Sequence, residues 1–545
     1  MLKNKYLLIL IIIIAIGFLL RLVGFQFEYL FNSIADESYH NSCVLRMLQN
    51  KTFSHSGCQS PYPILYTFFY VPSIIAGLFT LLLKHGFDLD VLKQVMAVYP
   101  FSTMPFIRIF TIIIGTAQIF LIYKITKTLF NSQLKGLIAA GFMAFSLLPV
   151  QLSHWGRAWT LLFFFNLLSL YSAIWIYRTG RIKYYILNTI FTFSAVGVHY
   201  LGFFGAIFVF CGHFFRRIKR LPVINKNLYL SFASAVFLGA LWLFLNRAGV
   251  HDMFLAQTFR GIKYISSNIL FLKIFAFYDP VVFLLFAIAL FILFINFRKL
   301  LTFEHLFLIV FFFFYLGGMI LFNFGPRIRW TLPLIVIAIP IAADLVGNLR
   351  IKIKSQTAYA LLIIFLFLPS LFFSAAWDYI LTLPNTRFTA KDWIENNLPQ
   401  DSKILFLDET SVLAVSQDGA KDLNKALTGV RPPNARYLYL AEKGQSAFPG
   451  YRVVNLRQFL DNPSFFQNEP FDYYILSYKN EKERREQITF VPKFDNLELV
   501  HEIMPFSRKG QESFEPEKDF PLEYLNILKD IRSTGPSIEI YRKTI

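Results

Sequence analysis

The chain reads as a polytopic α-helical membrane protein of about 11 spans followed by a C-terminal extracytoplasmic α/β domain. Three observations predict this. First, 55% of its 545 residues are hydrophobic and only 16% are charged, against about 25% charged in ordinary soluble domains. Second, apolar runs near the bilayer-crossing length of about 20 residues recur up to Trp377 and then stop. Third, the positive charge is concentrated between those runs. Segments 1–5, 124–135, 178–183, 216–227, 298–304 and 350–356 hold 18 Lys/Arg against one acid, Glu304. The remainder is balanced, with 35 basic and 33 acidic residues. The net charge of +19 is therefore an orientation signal for cytoplasmic loops and not a nucleic-acid-binding surface.

The runs are 6–25, 61–83, 105–123, 136–152, 158–177, 184–215, 228–246, 280–297, 304–323, 330–348 and 357–376. The first, in "MLKNKYLLILIIIIAIGFLLRL", has no small-x-small cleavage site and is read as a retained helix with its N-terminus inside. Run 61–83 must not cross if all basic loops share one side. Its Pro61, Pro63 and Pro72 and its Tyr-rich start suit an interfacial helix. Run 184–215 lies between two basic loops and must cross twice, turning near His199 and Tyr200. Two short helices there leave a dent that a polar headgroup enters. The expected layout is a membrane domain over 1–377, with a first outer loop 26–104, and a soluble outer domain over 378–545. Loops 153–157, 247–279 and 324–329 fall on the outer side with it.

In the tail, "TRFTAKDWIENNLPQDSKILFL" reads as helix, Pro turn and strand. "ARYLYLA", "YRVVNL", "FDYYILSY" and "SIEIYRK" read as further strands, and "NEKERREQI" as a helix. The tail carries neither a P-loop nor a dinucleotide fingerprint, so a docking or lid role is expected. Of three cysteines, Cys43 and Cys58 share an outer loop, where they form either a disulfide or two free thiols; Cys211 is inside a span.

The chemistry-bearing residues gather at the outer span ends. Asp36 and Glu37 follow the first span within a short loop. Carboxylates held at such a boundary serve as bases. Arg21, Arg108, Arg157, Arg327 and Arg329 also fall there, against the positive-inside trend. Snorkelling to headgroups is the ordinary explanation. Bidentate contact with an anionic phosphate is the functional one. His154, His199, Tyr200, Lys51 and His55 are further contacts on that side, and two histidines beside an acidic pair are candidate metal ligands.

These features together resemble the GT-C superfamily of integral-membrane glycosyltransferases, which includes protein O-mannosyltransferases and the aminoarabinose transferase of lipid A. The resemblance rests on the order of "LLRL", "ADESYHNSCVLRMLQNKTF", "SPYPILYTF", "MPFIRIFTIIIGTAQIFLIYKITKTLF", "SHWGRAWTLLFFFNLL", "GVHYLGFFGAI" and "PRIRWTLPLIVIAIP", with the tail opening "TRFTAKDWIENNLPQDSKIL". It covers about residues 1–400. It implies a multi-pass enzyme of the cell (inner) membrane that moves a sugar from a polyprenyl-phosphate donor to a lipid, glycan or protein acceptor. Asp36 matches the catalytic acid of the family and Glu37 its neighbour. Arg108, Arg157 and Arg329, with Arg327 beside them, match donor-phosphate or active-site positions. No organic cofactor is implied, and some relatives hold a divalent metal ion near the acidic pair. A phosphate-contacting lysine of the aminoarabinose transferases is missing here at "QSPYP", so Gln59 or a distant Lys or Arg must substitute. The competing class is a transporter or flippase of an anionic or lipid-linked substrate. Transporters favour midplane ionisable groups, whereas here such groups sit at span ends. A non-catalytic scaffold is the third reading.

Overall fold

The computed structural model describes residues 2–30, 37–51, 64–216, 226–245, 269–296, 302–321, 328–407, 413–427, 435–444, 448–455, 470–491, 494–507, 512–513 and 527–544. They fall into two compact units. The first comprises Met1–Phe25, Tyr39–Ser73 and Ile107–Asp378; the second comprises Gln26–Ser38, Ile74–Phe106 and Tyr379–Ile545.

The first unit is a helical bundle. Helix α1 (Leu2–Leu22) is followed by α2 (Glu37–Asn50), α3 (Ile64–Lys84), α4 (Leu89–Val98) and α5 (Met104–Phe130), of which α4 and the part of α3 beyond Ser73 belong to the second unit. A bent pair comes next, α6 (Gln133–Phe145) and α7 (Leu147–Ser153), inclined by 57°. Then come α8 (Ala158–Thr179), α9 (Ile182–Val198), α10 (Ala206–Phe214) and α11 (Lys226–Leu245). A second bent pair, α12 (Ile269–Tyr278) and α13 (Pro280–Ile295), meets at 119°. Helices α14 (Phe303–Leu321), α15 (Leu332–Lys352) and α16 (Gln356–Thr382) complete the series. Among the described residues, seven helices are long and apolar enough to cross a membrane, α3 included. The two bent pairs and the shorter apolar helices α9, α10 and α14 account for the remaining runs.

The expected hairpin over 184–215 is present. The Tyr185 hydroxyl lies 2.6 Å from His213 Nδ1, and Arg216 donates to the Ile176 carbonyl at 2.9 Å. Both ends of the α9–α10 segment therefore return to one level, and the turn is at His199. Gly202 permits it, because a Cβ there would strike the Ala195 backbone. At the opposite end of the bundle, Lys135 Nζ lies 2.6 Å from Asp344 Oδ1, and His305 Nε2 lies 3.1 Å from Asp344 Oδ2. Lys135 is early in α6 and Asp344 late in α15. The two helices are antiparallel, so His154 and Arg329 share the other end.

The second unit contains the tail. Helix α17 (Thr386–Asn397) is capped by the Asn385 side chain, which accepts from Arg387 N. Strand β1 (Lys403–Phe406) precedes α18 (Gln417–Leu427), α19 (Ala435–Lys443) and β2 (Arg452–Asn455). Then follow β3 (Tyr473–Tyr478), α20 (Glu481–Ile488), β4 (Leu497–Ile503) and β5 (Ser537–Lys543). The sheet order is β2-β1-β3-β5-β4, with β2, β1 and β3 parallel and β5 antiparallel to both neighbours. Leu405, Tyr474 and Leu476 face one core; Ile404, Phe406, Ile475 and Ile540 face the other.

"ARYLYLA" departs from expectation: it is helix α19 and not a strand. Tyr437 and Leu440 are its buried residues, three apart, which is a helical and not an alternating period. Strand β4 and helix α12 were not foreseen. Helix α12 occupies the end of what was read as the outer loop 247–279.

The second unit also absorbs pieces of the first outer loop. Ala97 and Val98 of α4 pack into the core of the tail beside Leu405, Leu440 and Leu476. Arg436 donates to the Val98 carbonyl at 2.7 Å, and Asn385 Nδ2 donates to Glu28 Oε1. Chain on both sides of α3 thus joins one body. Helix α3 was expected to lie in the interface, and it is long and apolar enough to cross a membrane. We expect Ala97→Asp to weaken protease resistance of the tail in the full chain, and Leu440→Ala to destabilise the same core by about 2–5 kcal/mol. A tail indifferent to Ala97→Asp would refute the shared core. In the same unit, buried Glu539 accepts from the Tyr478 and Tyr541 hydroxyls and from Arg484 Nε. Burial first, then the bond to Glu539, pushes the Tyr541 hydroxyl up to about 12 and also raises that of Tyr478. The unfolded chain ionises these phenols earlier, near their ordinary value of about 10. Stability is therefore full below pH of about 10 and falls as pH rises through about 12, a loss that Tyr541→Phe should reduce in a denaturation series.

Candidate active site

The site is built on a break in a span. Helix α6 stops at Phe145 and the chain resumes as α7 at an angle. A helix end leaves carbonyls without partners, and an apolar surrounding offers no water to replace them. Arg21, near the end of α1 and fully buried, supplies donors. Its guanidinium reaches Ala144 O at 3.1 Å, Met143 O at 3.0 Å and Gly17 O at 2.8 Å. Ser374 donates to Phe145 O at 2.7 Å. Ser146 donates to the Asp279 carboxylate, which also caps α13 at Val282 N and accepts from Ser370.

The turn after α7, "SHWGRAW", receives the same treatment. Thr111 donates to Ser153 O at 2.9 Å, Tyr66 to Gly156 O at 3.1 Å and Tyr70 to Arg157 O at 3.1 Å. Thr160 donates to Leu152 O at 2.8 Å. Residues 153–157 were read as an outer loop, yet His154, Trp155 and Arg157 are all buried. Surface loops carry water-satisfied backbone; this one is satisfied by side chains and sits inside the bundle.

Two polar groups flank the turn. In one, Arg108 donates to the Phe25 carbonyl at 3.1 Å and His154 Nε2 lies 2.7 Å from Val23 O. Arg21 belongs here, and so does Asp378, 3.6 Å from His154. In the other, the Arg329 guanidinium lies over the Trp159 ring at 5.6 Å, with His199 4.6 Å from Trp159 and Tyr200 4.2 Å from His199. A narrow cleft lined by Trp159, Asn166, Leu201, Tyr315, Arg329 and Pro333 opens beside them. The Asn166 Oδ1 and the Trp159 indole nitrogen are buried without hydrogen-bond partners among the described residues.

Of the predicted site residues, Asp36, Arg327 and His55 lie outside the described residues, as do Cys58 and Gln59. Glu37 opens α2 and is buried. Arg157 caps α8, 5.9 Å from the Trp155 ring. Lys51 is exposed at the end of α2 and joins neither group. Snorkelling fails for Arg21, Arg108 and Arg157, because all three are buried. Metal ligation fails for His154, because both ring nitrogens face carbonyl oxygens. His199 Nδ1 accepts from Leu201 N. No three His, Cys, Asp or Glu side chains gather as a metal site among the described residues. Cys43 is disulfide-bonded and Cys211 is free. Asp378 and Asn166 escaped the sequence reading. Asp378 was read as the first residue of the tail, and its signal was a lone carboxylate in the continuing helix "FFSAAWDYI".

No family model matches the chain, and no curated protein matches it. Solved structures do match. The oligosaccharyltransferase of Archaeoglobus fulgidus in its apo form aligns with a TM-score of 0.51 at 13% identity, over 90% of this chain and 71% of that one. ArnT from Cupriavidus metallidurans in the apo state aligns with a TM-score of 0.50 at 9% identity, over 99% and 98%. The fold is of GT-C type. At these identities the likeness concerns the fold alone.

Removing the Arg21 guanidinium should leave Met143 O and Ala144 O unpaired in an apolar setting. We expect Arg21→Ala to lower stability by about 1–3 kcal/mol for each orphaned carbonyl, with Arg21→Lys intermediate, measured as thermal unfolding in detergent. A variant as stable as the parent would mean that the break is held otherwise.

Proposed function

We propose that the chain is an inverting glycosyltransferase that moves a sugar from a polyprenyl-phosphate donor to an acceptor hydroxyl at the outer membrane face, with Asp36 as general base. The observation that carries this reading is the half-buried Arg329, its guanidinium over the ring of Trp159 and lining a cleft in a GT-C fold. A planar fork in that place suits phosphate oxygens, and exclusion of water strengthens the contact. The name oligosaccharyltransferase, carried by one protein of the same fold, agrees with sugar transfer.

In the proposed reaction Asp36 accepts the proton of the acceptor hydroxyl as its oxygen bonds to the anomeric carbon. The bond from that carbon to the donor phosphate oxygen breaks, and polyprenyl phosphate leaves as an anion. Arg329 stabilises the growing charge, with Arg108, Arg157 and Arg327 as further contributors, so no strong general acid is required. A single carboxylate base gives inversion. Glu37 is assigned a supporting role beside it. His199, packed on Trp159, and Tyr200, packed on His199, are assigned to the donor side. No step runs through a metal ion.

With a polyprenyl-phosphate sugar as donor, Asp36→Asn should lower transfer by about 10²-fold or more at unchanged fold. Arg329→Ala should raise the donor KM by about tenfold or more. Transfer at the parental rate by Asp36→Asn would sink the assignment of the base.

A further inference from the structure

His154 is fully buried between two backbone acceptors. Nδ1 lies 3.0 Å from Val150 O and Nε2 lies 2.7 Å from Val23 O. A carbonyl oxygen can only accept. A neutral imidazole has one N–H, so a single protonation state, the imidazolium, donates to both. In any other state, one nitrogen lone pair faces a carbonyl oxygen inside the bundle.

A buried cation requires a counter-charge. The Asp378 carboxylate, at 3.6 Å from Nε2, is placed to provide it. Asp378 is buried, and neither of its oxygens has a hydrogen-bond partner among the described residues. The other charges facing the ring are Arg21 from α1 and Arg108 from α5, and Arg157 shares its turn. All three are cations and oppose a further positive charge. Asp378, from α16, is the opposing carboxylate. Among the described residues no hydroxyl or amide is bonded to Asp378, which leaves its charge as what it offers its neighbours.

We propose that Asp378 holds His154 as the imidazolium, and that the pair is a positioning device that clamps the Val23 carbonyl where α1 ends. The clamped backbone is the start of the segment leading to Asp36. Arg108 grips the next alternate carbonyl, Phe25 O, from α5. His154 and Asp378 are thus positioning residues that act through the backbone. Only their consequence for catalysis rests on Asp36 being the base.

The full chain, labelled with ¹⁵N-histidine in a bilayer, tests this by solid-state NMR. One of the nine histidines should remain doubly protonated at pH 8.5, and His154→Gln should remove that signal. Asp378→Asn should convert it to a neutral ring at pH 7. A cysteine placed as Gln26→Cys, an exposed position next to Phe25, should react with a soluble maleimide about threefold faster or more when combined with Asp378→Asn. Combined with Asp36→Asn, it should react at the parental rate. Absence of any imidazolium at pH 8.5 in the parent chain overturns the proposal without need of a variant. A charged ring with an unchanged maleimide rate in Asp378→Asn overturns the clamp. Undiminished transfer by Asp36→Asn, with the ring charged and the loop tightened, would instead overturn the base assignment and leave the clamp standing.

Discussion

A span that breaks inside a membrane must find donors for the carbonyls it frees, and this requirement organises the bundle. At the break after Phe145, a guanidinium from α1, a hydroxyl from α16 and the Ser146–Asp279 contact take the places that the next helical turn would have filled. Water cannot do this in hydrocarbon, and each unpaired group would cost several kcal/mol. The donors come from helices distant in sequence. Satisfying the break therefore fixes α1, α13 and α16 around α6 and α7 as a side effect, and the buried turn that follows has a defined place to present His154, Arg157 and Trp159.

That requirement divides the cations by task. Arg21 and Arg108 spend donors on carbonyls of the bundle itself. Arg329, half-buried on an indole face, is placed differently. The positive-inside trend had made all of them equally anomalous. Burial separates them: a fully enclosed arginine whose donors meet backbone oxygens is chiefly structural, whatever its charge contributes at longer range. The field of the buried cations still reaches their neighbours in a low-dielectric interior, so a structural arginine close to a phosphate site adds attraction without touching the ligand.

Much of the fold was legible because it follows from charge and run length. The basic loops required an even number of crossings over 184–215, and the hairpin turns at His199 as parity demanded. The same logic kept α3 out of the crossing set, whereas by length and composition α3 could cross. What was not legible depends on tertiary partners. "ARYLYLA" alternates like a strand, and its helical identity comes from which residues meet the core, Tyr437 and Leu440. The bend at Ser146 has a local cause in Pro149, which offers no N–H to the Phe145 carbonyl and crowds it, but the donors that satisfy the break, from Arg21 and Ser374, come from elsewhere. Of the site, arginines on the correct side could be chosen, but their depth could not. Asp378 was lost because a boundary drawn at the end of hydropathy placed it in the soluble tail, whereas its helix continues to Thr382.

The tail acquires a role from the same accounting. Its sheet is covered on one face by helices of its own and by Ala97 and Val98 from the first outer loop. Glu28 and Glu37, on either side of the segment containing Asp36, belong to the unit that includes the tail. A loop whose flanks are built into a folded core has fewer conformations to lose when its reactive group is brought to bear. A lid that swings free would need the opposite, a loop and a tail with separate cores. The shared core joins part of the first outer loop to the tail, so the two fold as one body and not as separate modules.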